Sequence, residues 1–140
     1  MPARSRRKAR RAAFKALYAI EVGSRRPAEA FEEAAVEAEL SEDGKEFMST
    51  LVNGVGDKLS EIDEHLSRSA IGYSLDRMSA VDRAVLRLAV YELLFLDETP
   101  EAVAINEAVE IVKKYSSAES GGFVNGILGA VVRKKHGSNT

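Results

Sequence analysis

Apolar residues recur along most of this chain at three- and four-residue intervals, and nowhere do they alternate one by one. The first periodic stretch is 4–22. At about 100° per residue, Ala9, Ala12, Ala13, Ala16, Leu17 and Ile20 fall on one arc of a helix, and Arg4, Arg7, Lys8, Arg11 and Lys15 on the opposite arc. Phe14 and Tyr18 project beside Arg7 and Arg11, where rings either stack on unpaired bases or cover a neighbouring helix. Gly23, Ser24 and Pro27 break this helix, and 28–39 set Phe31, Ala34, Ala35 and Ala38 on one face of a second. Ser41 is placed to cap a long helix to about residue 67, with Met48, Leu51, Val52, Val55, Leu59, Ile62 and Leu66 as its core stripe. Gly54 and Gly56 mark a point where it could break or be closely approached.

Residues 67–78 carry few periodic apolar positions and read as a connection between two halves, roughly 1–70 and 79–140, of one domain. Ser79 and Asp82 stand at capping-box spacing before a run in which 13 of 17 residues, Ala80–Leu96, are apolar. A helix apolar on all sides is expected to be central and touched from several directions, which makes Asp82, Arg87 and Glu92 candidates for ion pairs. Thr99, Pro100 and Glu101 form a helix start, followed by a broad apolar face of Ala102, Ala104, Ile105, Ala108, Val109, Ile111, Val112 and Tyr115, with Glu107 assigned to the polar side. A last helix, starting near Ser116 or Ser120 and running to about Lys135, buries Phe123, Ile127, Leu128 and Val131. Its small residues Gly122, Gly126, Gly129 and Ala130 would let a neighbour approach closely. The expected fold is all-α.

Charge sharpens this picture. The net formal charge of −2 over 140 residues hides a segregation. Residues 1–15 hold seven bases and no acid, residues 133–140 add three bases, and the span between them carries a net −12. Basic ends on an acidic body fit a polyanionic partner, with a solvated tail or membrane-surface attachment as the other readings. The apolar face of the first helix is mostly alanine, which is shallow for a membrane surface. No uncharged apolar stretch is long enough to span a bilayer or to act as a secretory signal, so the expected setting is cytoplasmic.

Enzyme chemistry is not visible. The chain has no cysteine and only two histidines, which excludes thiol nucleophiles and cysteine or multi-histidine metal sites. The glycines sit in helical patterns, outside any strand-to-helix phosphate loop, and no nucleophile elbow occurs. His65, one residue before Leu66 on a core helix, reads as a surface or packing residue. No cofactor is expected.

Three blocks carry a resemblance: Asp82 to Leu93 (DRAVLRLAVYEL), Val103 to Lys113 (VAINEAVEIVK) and Phe123 to Leu128 (FVNGIL). With the arginine run before Ala16-Leu17-Tyr18, they make the chain similar, over nearly its full length, to the NusB family of bacterial transcription antitermination factors. Residues 24–45 and 67–78 match least. The resemblance implies about six to seven helices in two three-helix-type halves around the central helix. It implies a factor that pairs with the ribosomal protein NusE and binds the single-stranded boxA element of ribosomal transcripts, acting on the transcription elongation complex to suppress premature termination.

By the same resemblance the RNA-contacting residues are Arg4, Arg6, Arg7, Lys8, Arg10 and Arg11 of the first helix, with Lys15 and Tyr18 on the same strip, and Glu119 and Ser120 before the Phe-Val-Asn-Gly block. Many relatives carry a base just before that phenylalanine; here it is Gly122. The NusE surface maps to Asp82, Arg83 and Glu92, and Tyr73 stands where an aromatic, often tryptophan, is usual. Some relatives form homodimers and others do not. Two rival readings are a helical module that binds only protein, and the NusB-like domain of ribosomal RNA cytosine methyltransferases, which would need a cofactor domain beyond Thr140.

Overall fold

A computed structural model describes residues 3–23 and 25–137. Ser24, one of the expected helix breakers, lies outside them. The described residues contain seven α-helices and no strand, arranged as two compact units, residues 1–57 and 58–140.

In the first unit, α1 (Ala3–Glu21) packs on both α2 (Pro27–Glu37) and α3 (Glu42–Asp57). The alanine stripe is the packed face: Ala9, Ala12, Ala13 and Ala16 are buried, whereas Leu17 and Ile20 are only half-buried. Helix α1 ends where Gly23 takes φ +74°, and α2 opens on Pro27, whose fixed φ suits a first helical position. A Schellman closure ends α2: the Leu40 amide donates to the Ala35 carbonyl (3.2 Å) and the Glu39 amide to that of Val36 (3.0 Å). Glu39 holds the left-handed position (φ 52°), at a cost a glycine would avoid. Ser41 caps α3 as its sequence position suggests, its Oγ accepting from the Gly44 amide at 3.1 Å.

The helix expected from 41 to 67 is two helices. It ends at Asp57, and α4 (Leu59–Ser69) begins after Lys58, whose φ −109° and ψ 15° leave the helical range. The interruption falls just past the low-propensity pair Gly54 and Gly56.

In the second unit, a 3-10 turn over Leu75–Arg77 leads to α5 (Ala80–Phe95), followed by α6 (Glu101–Tyr115) and α7 (Ala118–Gly137). Helix α5 packs on α4, α6 and α7, which explains a sequence apolar on every side. Ser79 caps it through the Asp82 amide (3.1 Å). Arg87 pairs bidentately with Asp63 of α4, both bonds 2.9 Å. Thr99 does not cap α6; its hydroxyl donates to Glu92 Oε2 at 2.6 Å, and that carboxylate is 1% exposed. Glu107 lies on the buried side of α6, and Ala102 is exposed, so the packed face is rotated from the one the apolar pattern suggests.

The start of α7 is capped by Ser117, which accepts from the Ser120 amide (3.1 Å). Close approach to this helix occurs at Gly121, where an added Cβ would come within 2.9 Å of Lys113 Cγ. Gly122 and Gly126 face open space, so the expected small-residue strip is not a contact.

Candidate nucleic-acid interface

The arginine-rich helix divides its cations between two tasks. Arg4, Arg7 and Lys8 are exposed, Arg11 and Lys15 are half-exposed, and Tyr18 is exposed at the end of the same arc. Arg6 and Arg10 point elsewhere. Their guanidinium carbons lie 4.6 Å and 5.6 Å from the centroid of the Phe47 ring on α3, and Arg10 is 4% exposed. Stacking on a ring face satisfies a guanidinium while its aliphatic stem packs. Arg10 is therefore part of the α1–α3 packing and cannot present its charge to a ligand as Arg7 can. The sequence held a signal for this: Arg6, Arg10 and Phe14 recur every four residues and form one row beside the alanine stripe. Phe14 is buried, which settles its role as a packing ring, and Tyr18 sits 6.2 Å from it, centroid to centroid.

Arg11 is less free than its helical position implies. Its Nε is buried without a hydrogen-bond partner. Lys15 donates to Glu37 of α2 at 2.7 Å. Glu37 has its carboxyl held below the ordinary value by that hydrogen bond and by the charge of Lys15. The solvent-exposed cationic strip is thus Arg4, Arg7 and Lys8, with Arg11 at its edge.

Two of the three C-terminal bases, Lys134 and Lys135, are engaged within the second unit. Lys134 donates to the Arg68 carbonyl, closing the end of α4. Lys135 donates to the Leu93 carbonyl (3.0 Å) and to Glu101 (2.9 Å), and His136 Nε2 lies 2.8 Å from the other Glu101 oxygen. Cations at helix C-termini meet the negative ends of the helix dipoles. Charge counting groups these bases with the N-terminal ones; the structure gives Lys134 and Lys135 a packing role.

Glu119 is exposed and Ser120 half-exposed. The Ser120 hydroxyl donates to Asp82 Oδ2 at 3.2 Å, which joins the start of α7 to the start of α5. Beside this bond lies a cavity of about 440 Å³ lined by Tyr73, Ser74, Arg77, Met78, Asp82 and Phe123, among others. Tyr73 and Phe123 meet edge to face with centroids 4.9 Å apart, and Phe123 is half-buried where the apolar pattern made it core. Asp82 is 8% exposed, and its Oδ1 is buried without a partner.

Of the other two residues assigned to a partner surface, Arg83 donates from Nη1 to the Leu75 and Met78 carbonyls (2.7 and 3.0 Å) and so holds the connection. Glu92 is interior and offers no surface for docking. Among the described residues no helix is long and apolar enough to cross a membrane, and no three His, Asp or Glu side chains come together as a metal-holding group.

These features define a class: an all-helical protein of two units that turns one cationic helix face to solvent. A model of the NusB family matches residues 7–133, and the chain belongs to that family. The transcription antitermination protein NusB of Acetivibrio thermocellus is 42% identical over 93% of this chain and 90% of its own length. The structure of T. maritima NusB superposes with a TM-score of 0.84 at 41% identity, over 95% of this chain and 92% of that one. NusB in the structure of antitermination factors NusB and NusE in complex with dsRNA gives a TM-score of 0.86 at 34% identity, over 95% and 99% of the two chains.

Proposed function

We propose that this chain is a transcription antitermination factor that binds boxA-type single-stranded RNA along α1 together with the ribosomal protein NusE, and brings it to the elongation complex. The observation that carries this reading is the exposed row Arg4, Arg7 and Lys8 on a helix whose opposite face is packed. Such a helix presents its charge at fixed spacing and cannot turn it away. The solved complex of NusB and NusE with dsRNA supports the pairing of an RNA and a NusE ligand in general. The acidic remainder of the chain suits a basic ribosomal protein and keeps RNA on the cationic strip.

In this reading Glu119, Ser120 and the Tyr73–Phe123 cavity of the second unit form a further RNA-contact region. Asp82 and Arg83 contribute by shaping that region and the adjoining connection.

The test is a gel shift with boxA-type RNA, with and without NusE, over a range of salt. Each phosphate neutralised on a single strand adds about −0.7 to the log–log salt slope. Three contacts give a slope near −2, so affinity falls about 20-fold between 50 and 200 mM salt. Replacing Arg4, Arg7 and Lys8 together by Ala flattens that dependence and leaves the melting temperature close to that of the wild type. Binding indifferent to salt, or a triple variant that binds as the parent does, would overturn the reading.

A further inference from the structure

The cationic arc of α1 does not run unopposed to its end. Helix α2 packs on α1, and Glu33 and Glu37, one turn apart on α2, each hold a cation. Glu33 accepts from Arg25 Nε through both oxygens (3.0 and 3.1 Å), and Glu37 accepts from Lys15 at 2.7 Å across the helix pair. Lys15 is the last cation of the arc that begins at Arg4. Both partners of the Lys15–Glu37 pair are solvent-accessible, with side chains 37% and 68% exposed. An incoming phosphate can therefore reach the lysine, but only in competition with a carboxylate already seated there.

We propose that Glu37 is a built-in competitor for RNA phosphate at Lys15, which ends the phosphate track of α1 short of that residue and holds RNA affinity below what the helix could deliver. The proposal deepens the RNA-binding reading given above and rests on it. The chemistry is exchange of one anion for another on a single ammonium group. The carboxylate gains from being tethered on a packed neighbouring helix, since it loses no translational freedom on pairing. The phosphate must displace it and also approach an acidic helix edge, which adds repulsion over about one Debye length. The Glu37 carboxyl, held below its ordinary value by the Lys15 hydrogen bond and charge, agrees with a carboxylate kept charged and engaged by Lys15.

The experiment compares Glu37→Gln with Glu32→Gln on the intact protein, using single-stranded boxA-type RNA. Glu32 is exposed on the same helix, about 140° round from Glu37, so both variants change net charge equally. Glu37→Gln is expected to tighten binding about 2- to 5-fold at 50 mM salt and to steepen the log–log slope by up to about 0.7. Its advantage then shrinks by up to about 2.6-fold by 200 mM. Glu32→Gln is expected to stay near the parent.

A second arm uses Lys15→Gln. In the parent it changes RNA affinity little, because Lys15 is committed to Glu37; in the Glu37→Gln background it removes the gain. Equal affinities for the two glutamine variants overturn the competitor, as does a Lys15→Gln loss of the same size in both backgrounds. If the parent binds RNA with the expected salt dependence in those cases, the RNA-binding reading survives. A parent with no salt-dependent binding removes both.

Discussion

Replacing Arg10 by Ala should cost stability, whereas replacing Arg7 by Ala should cost binding, although the two stand three residues apart in one arginine run. Arg10 is 4% exposed and its guanidinium lies 5.6 Å from the Phe47 ring centroid, so truncation removes a packed stem and a ring contact together. Three methylenes at about 0.8 kcal/mol each give ~2.4 kcal/mol. The cation–π contact adds about 0.5–1 kcal/mol. The expected loss is therefore about 3 kcal/mol, which for a domain of this size lowers Tm by ~10 °C. Arg7 is exposed, and its replacement should move Tm by no more than ~2 °C. The assay is thermal unfolding followed by circular dichroism, paired with RNA affinity at a temperature where both variants are folded. Arg7→Ala should weaken RNA about 3-fold or more at 50 mM salt, while folded Arg10→Ala binds nearly as the parent does. An Arg10→Ala protein that melts with the parent and loses RNA affinity would refute the division of the helix into packing and binding cations.

Ser79→Ala should destabilise the protein by about 1 kcal/mol in denaturant titration, because it removes the acceptor of the Asp82 amide at the start of α5. Stability should also depend on acid through Glu101, whose carboxyl is held below the ordinary 4.5 by hydrogen bonds from His136 and then Lys135. A depressed carboxylate contributes stability that is complete above 4.5 and is lost as pH falls through the lower folded value. Denaturation curves of Glu101→Gln between pH 6 and 3 should lack that part of the decline, and a decline equal to the parent's would refute the assignment.

Helix existence was readable because period and punctuation agreed. The apolar arc of α1, the Ser41 and Ser79 caps and Pro27 each imply a boundary or a face that tertiary packing then uses. The break at Lys58 was less legible, since 41–67 keeps one apolar stripe across it and only Gly54 and Gly56 hint at an interruption. Side-chain assignments depended on charge, which does not reveal burial. Arg10 and Glu92 look like surface groups by type, yet one is buried over the Phe47 ring and the other accepts from the Thr99 hydroxyl. The cationic strip on Arg4, Arg7 and Lys8 was visible as a helical arc, whereas the Lys15–Glu37 pair joins residues 22 apart and needed the fold to be seen.

Helix α7 is fastened at both ends. Near its start Ser120 bonds to Asp82, 38 residues away, and near its close Lys134 and Lys135 reach the ends of α4 and α5. A helix held at one end only can unwind turn by turn from the other, and its amides exchange with solvent at graded rates. With anchors at each terminus, neither end of α7 can loosen alone without giving up bonds to other helices. Its interior amides should exchange in step, at a rate set by opening of the second unit as a whole. The helix then serves as the clasp that makes the unfolding of that unit a single event.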